Sequence, residues 1–206
     1  MQPCLLSGAP GCRIYQMARL SFRLFALALL LAALSAAAGP LFAAEPVPPD
    51  RRAKALALVN TAIGMTDSEQ AVKLLWQAIE IDPTLRQAYM YLGLYYNSRS
   101  DFDKVIEVYS KLIKYRPNEI NAYLNIGEAY MSFNPAKLDE ALTYYQKAYE
   151  LDAHSSFAAL RIGEILADQG KRDEAVRYLT QASADAANHP TTAAQAKKLL
   201  AEMGVM

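Results

Sequence analysis

Residues 88–117 read AYMYLGLYYNSRSDFDKVIEVYSKLIKYRP, and residues 122–152 read AYLNIGEAYMSFNPAKLDEALTYYQKAYELD. Each stretch opens on Ala-Tyr, places a Gly four residues after that Tyr and a second Tyr three residues after the Gly, and then runs into another amphipathic segment. Pro83 and Pro117 stand 34 residues apart, as do Tyr89 and Tyr123, Gly93 and Gly127, and Tyr96 and Tyr130. Gly163 follows Gly127 by 36, and the two extra residues fall in the SFNPAK turn, because Tyr130 to Ala141 is eleven where Tyr96 to Val105 is nine. A fixed stride of this length marks stacked units that each bury their apolar face only against a neighbour.

Within a unit the apolar spacing is helical. Tyr89, Leu92, Gly93 and Tyr96 recur at i, i+3, i+4 and i+7, and Val105, Val108, Tyr109 and Leu112 repeat that pattern after a turn. In the next unit the same places hold Tyr123, Ile126, Gly127 and Tyr130, then Ala141, Tyr145 and Ala148. Asp101 is placed to cap a second helix, and Pro117 ends the unit because it cannot continue one. Gly within a helix costs roughly 1 kcal/mol against Ala, so its return at one phase calls for a packing reason. The expected reason is a crossing of the paired helices, with Gly127 facing Ala141 and Gly163 facing Ala175.

These residues resemble the tetratricopeptide repeat family, whose pattern is a large aromatic, Leu-Gly, Tyr, Ala, an aromatic, Ala and Pro. Tyr89, Leu92–Gly93, Tyr96, Tyr109 and Pro117 match it, with Val105 and Leu112 in place of the alanines. Ile162–Gly163, Gly170, Ala175 and Ala182 carry a fourth unit that lacks aromatics at Ala159 and Leu166. A first unit keeps Leu58, Ala71, Leu75, Ala78 and Pro83 but has Val59 in place of the Gly. The resemblance implies an all-α solenoid of helix pairs: units of about 52–85, 86–119, 120–155 and 156–189 within an array over 51–189. A capping helix and tail follow over 190–206, with Ala196, Leu199, Leu200 and Met203 as its apolar stripe.

Upstream of the array the composition changes. From Met17 the chain reads MARLSFRLFALALLLAALSAAAGPLFAAEP: Arg19 and Arg23, then an unbroken apolar run from Leu24 to Leu34, then small residues. That order is a secretory leader, with an apolar core short for a membrane span. Residues 1–44 are therefore read as a start extension plus signal peptide, with Met17 as the initiator. Cleavage is expected after Ala38, or after Ala43 or Ala44. The expected location is the bacterial periplasm; an uncleaved leader would anchor the chain in the inner membrane. EPVPPD at 45–50 reads as a stiff proline-rich spacer.

The formal charge is zero, with 21 basic and 21 acidic residues. The first 44 residues hold Arg13, Arg19 and Arg23 and no acid; setting these three aside leaves 18 basic against 21 acidic residues. A mildly acidic body does not fit nucleic-acid binding, which needs a basic face to displace counterions. Cys4 and Cys12, the only cysteines, both lie in the leader region, so a processed chain has no thiol for a disulfide, a nucleophile or a metal. His154 and His189 fall in turns between units with no second ligand at metal spacing. Asp139–Glu140 and Asp173–Glu174 sit where acids favour the positive end of a helix. No Gly-rich phosphate loop is present. The expectation is a protein without catalytic residues, cofactor or metal.

Recognition is what remains. By the repeat register, the first helix of each unit presents its non-core positions to the hollow of the array. These are Asn60; Gln87, Met90, Tyr91 and Leu94; Asn121, Leu124, Asn125 and Glu128; and Phe157, Arg161 and Glu164. Met90, Tyr91 and Leu94 form an expected apolar anchor. Some family members capture a partner's terminal carboxylate with a Lys/Asn/Asn/Lys/Arg set. Here only Asn125 and Arg161 fit that set, while Met90, Leu94 and Phe157 do not, and Arg161 is expected to pair with Glu128 and Glu164 instead. The chain is thus read as an exported adaptor that binds a peptide segment or helix of another protein. The alternative is a structural or assembly subunit of a larger envelope machine, of the kind that serves pili, cytochrome maturation or the outer membrane, packing through its outer face.

Overall fold

The computed structural model describes residues 46–205, and the expected leader with Cys4, Cys12 and Met17 lies outside the described residues. Among the described residues the chain forms nine helices and no strand: α1 (Pro49–Ile63), α2 (Ser68–Ile81), α3 (Arg86–Ser98), α4 (Phe102–Tyr115), α5 (Ile120–Met131), α6 (Leu138–Leu151), α7 (Ser156–Asp168), α8 (Arg172–Ala184) and α9 (Pro190–Glu202). Each helix packs on the next, and α9 also reaches back to α7. None is long and apolar enough to cross a membrane.

One boundary differs from the sequence reading. The spacer ends earlier, because Pro49 and Asp50 already belong to α1. Proline fits the first helical position, where its missing N–H has no helical partner anyway and its ring presets φ. Asp101 does cap α4, accepting from Lys104 N at 3.3 Å, but Asp67 is the better cap. Its Oδ1 accepts from Glu69 N at 3.0 Å and Gln70 N at 3.1 Å. Replacing Asp67 by Ala leaves both N–H groups of α2 without that acceptor. The expected loss is about 1 kcal/mol, read as a lower denaturant midpoint at unchanged slope.

The glycines pack differently from the expectation. A Cβ at Gly127 would lie 2.6–2.9 Å from three ring carbons of Tyr145, and one at Gly93 would lie 2.7 Å from Cε2 of Tyr109. One at Gly163 would lie 2.7 Å from Cγ of Leu179. The missing side chain thus makes room for the large residue one turn beyond Ala141 or Ala175; at Gly163 the expected neighbour is present as well, with the Ala175 carbonyl oxygen 3.4 Å from such a Cβ. Tyr145, Leu179 and Tyr109 are buried accordingly.

The turns between units share a device: Tyr89 Oη donates to Pro83 O, and Tyr123 Oη to Pro117 O, each at 2.9 Å. The two-residue insertion also has a packing role. It brings the Phe133 ring 5.7 Å from that of Phe102 and 6.2 Å from that of Tyr130, with Lys137 Nζ 3.8 Å above Phe133. At the far end α9 buries Ala193, Ala196 and Leu200 and leaves Lys197 and Lys198 in water, closing the stack with a polar back. Leu199 and the helix-ending Met203 are half-buried beside them.

Candidate functional site

The first helices α3 and α5 flank a cleft of about 350 Å³ lined by Arg86, Met90 and Leu94 from α3, Tyr109 and Leu112 from α4, and Glu119, Asn121, Ala122 and Asn125 from the next unit. Met90 and Leu94 lie one turn apart on α3 and are 43% and 58% exposed; among the described residues the other large apolar side chains exposed to this degree are Ile63, near the end of α1, and Val205, in the tail. Exposed neighbours of this kind on one wall of a cleft are unusual on a surface with nothing to bind.

Tyr91 does not join them. It is rotated by about 100° from Met90, one residue along the helix, and lines a separate hollow of about 220 Å³ with Tyr95, Ala62, Ile63, Met65 and Leu75. The expected Met90–Tyr91–Leu94 anchor is therefore two residues in the cleft and one on another wall. Asn60 and Gln87 are exposed on α1 and α3, outside the lining of the cleft. Asn125 is half-buried in it and donates one amide N–H to Asn121 O at 2.6 Å, so its second N–H and its amide oxygen carry the remaining polar capacity. Leu124 is half-buried, packs against apolar clusters that include residues of α6 and α7, and does not line the cleft.

Further along, the expected charge cluster is present and fully engaged. Arg161 donates from Nε and Nη2 to the two oxygens of Glu128 at 2.8 and 3.0 Å, and from Nη1 to Glu164 at 2.9 Å. Tyr145 Oη donates to Glu128 at 2.5 Å, and Gln195 of α9 donates to Glu164 at 2.6 Å. Phe157 lies under the guanidinium at 5.1 Å. The cluster ties the third unit to the fourth and the fourth to the cap. Burial, and then the Glu128 carboxylate it faces, push the Tyr145 phenol well above its ordinary range.

Five lining residues escape the sequence reading of the groove: Arg86, Glu119, Ala122, and Tyr109 with Leu112, which floor the cleft. Glu119 is 7% exposed and accepts from Arg116 Nε at 3.1 Å, with Arg86 Nη1 at 3.5 Å. Arg86 and Glu119 are 33 residues apart and so are Glu128 and Arg161, but the second pair spans the two-residue insertion and the first does not, so the equal spacing is not equal register. Among the described residues no group of three or more His, Cys, Asp or Glu is placed to hold a metal.

Family models described as "Tetratricopeptide repeat" match residues 87–154 and 158–194, together about half of the chain. Anaphase-promoting complex subunit 3 of Schizosaccharomyces pombe is 27% identical over 108 residues, which is 52% of this chain and 16% of that protein. The heat shock protein STI1 of Saccharomyces cerevisiae is 28% identical over 128 residues, 61% of this chain and 21% of that one. The chain thus spans about a fifth or less of the curated relatives it matches. Among solved structures, YrrB, "a TPR protein with an unusual peptide-binding site", superposes with a TM-score of 0.55 at 21% identity, over 73% of this chain and 78% of that one.

Proposed function

We propose that this chain, which belongs to the tetratricopeptide repeat family, is an exported, non-catalytic scaffold that holds a segment of another protein in the cleft between α3 and α5. The observation that carries the reading is the placement of Met90 and Leu94. Two exposed apolar side chains on adjacent turns line the cleft, over a floor of Tyr109 and Leu112 and beside an amide from Asn125. Apolar anchors beside a few polar groups are the usual composition of a binding hot spot. Export and a periplasmic site of action rest on the pattern of residues 17–44 alone.

A photo-activated cross-linker placed at Leu94 in the producing cell is expected to trap a defined protein, and Met90→Glu is expected to cut that product at least tenfold while leaving the helical circular dichroism unchanged. Equal yields from the two forms would exclude the cleft. N-terminal sequencing of the mature chain tests export: a start at Gly39, Ala44 or Glu45 is expected, and an intact residue 17–44 segment would point to an anchored protein.

A second reading, a structural or assembly subunit that packs through its outer helices, is favoured by Trp76 of α2. This sole tryptophan is half-buried, with its Nε1 donating to Tyr96 Oη at 3.4 Å and Lys111 Nζ 5.0 Å over its ring. Cross-linkers at Lys111 and Lys147 that trap the same protein more strongly than one at Leu94 would favour this reading.

A further inference from the structure

We propose that the segment taken by the cleft is acidic as well as apolar, entering in extended form with the order acid, any residue, apolar, any residue, apolar. This rests on the reading of the cleft as a protein-binding site and adds its chemistry.

The first ground is charge. At one end of the cleft two guanidiniums, Arg86 and Arg116, share the single carboxylate of Glu119, which is a balance of one positive charge. Arg116 takes the closer place at 3.1 Å, and Arg86 stands at 3.5 Å with its side chain 61% exposed and lining the cleft. Beyond the Leu94 end, Glu128 lines an adjoining hollow with Leu94 and Asn125, and there two carboxylates, Glu128 and Glu164, share the single guanidinium of Arg161, a balance of one negative charge. An acidic side chain is drawn to the Arg86 end and repelled from the other, so the cleft has a direction. The guanidinium of Arg161 is held by both glutamates and its side chain is 25% exposed, so the more accessible cation of this groove is Arg86.

The second ground is spacing. Arg86, Met90 and Leu94 are successive i, i+4 positions on one face of α3, so their Cα atoms follow each other at about 6 Å. Alternate residues of an extended strand follow each other at about 6.6–6.8 Å and point to one side. Three alternate side chains of an extended segment therefore meet Arg86, Met90 and Leu94 in turn. A cleft of about 350 Å³ has room for three side chains of such a segment.

The test uses the full chain and a phage-displayed library of random dodecapeptides, followed by fluorescence polarisation of the selected peptides after synthesis. Selected sequences are expected to be enriched in Asp or Glu two residues before the first of two alternating apolar residues. Changing that acid to Lys is expected to weaken binding at least tenfold, and Arg86→Gln in the protein to weaken it by a similar factor, with little further loss when both are changed. Arg86→Gln keeps a neutral side chain near Glu119, so it avoids the buried repulsion that Arg86→Glu creates. Binders that Met90→Glu abolishes, but that show no acid or no dependence on Arg86, would overturn the acidic motif and leave the cleft standing. Binders indifferent to Met90→Glu, or a library that yields none, would remove the cleft itself and the motif with it.

Discussion

Gly127→Val is expected to destabilise the protein by about 3 kcal/mol, read as a fall in the chemical-denaturation midpoint. A single Cβ at this position already meets the Tyr145 ring at 2.6–2.9 Å, closer than carbon atoms approach, and valine adds two further methyls. Replacing Gly in a helix is favourable by a few tenths of a kcal/mol for Val, whereas forcing atoms into a filled site costs about 1–3 kcal/mol and sometimes more. Overpacking wins. The ring cannot move aside cheaply, because Tyr145 is fully buried and its hydroxyl is tied to Glu128. Gly64→Ala is the control: its nearest neighbour to an added Cβ is 3.7 Å away, so the change is expected to stay within about 0.5 kcal/mol of zero. Tyr145→Ala removes the ring that blocks the valine. The double variant is therefore expected to be more stable than the sum of the two single losses by at least about 1 kcal/mol. Simple additivity would show that Gly127 is there for some other reason.

That contact also shows where the sequence is legible and where it is not. The stride, the helix pairs and the capping helix can be read from Tyr, Gly and Pro at fixed intervals, since each type has a backbone or packing consequence that depends only on local register. The match to repeat models over 87–154 and 158–194 agrees with that reading. The partner of each glycine cannot be read in the same way. It depends on the crossing of two helices, and a shift of one turn exchanges Ala141 for Tyr145. Tyr91 shows the same limit within one helix, because the face assigned to Met90 and Leu94 is narrower than three residues in sequence. The ion pairs divide by kind. Glu128 and Arg161 lie within helices at positions the register locates, and they meet as expected. Glu119 sits just before α5, where register gives no direction, and its burial beside Arg116 and Arg86 emerges only from the turn. Pro49 belongs to the same class, as proline both ends spacers and opens helices, and only its neighbours decide between them.

Raising the pH from 9 to 12 is expected to destabilise the fold by several kcal/mol, with buried tyrosines as a principal cause. Burial pushes the Tyr109 phenol from 10 up to about 12, and pushes those of Tyr89 and Tyr145 higher still. In each case the folded state holds its proton more firmly than the unfolded chain does. The contribution is complete below pH 10, where both states are protonated. It declines as pH rises above 10, because the unfolded phenols ionise while the folded ones do not, and it is fully lost above the folded value. For Tyr109, 6% exposed, a rise from 10 to about 12 corresponds to about 2–3 kcal/mol lost across that interval. Thermal unfolding between pH 8 and 12 measures the total, and substitution apportions it. Tyr145→Phe leaves Glu128 without one donor, so at pH 8 it is expected to be less stable than the parent by about 1 kcal/mol. It has one fewer buried phenol to ionise on unfolding, so its melting temperature is expected to fall less steeply above pH 10, and the two curves cross before pH 12. Parallel curves would mean that this hydroxyl exchanges its proton as freely in the folded protein as in the open chain, and would remove the burial that the packing against Gly127 requires.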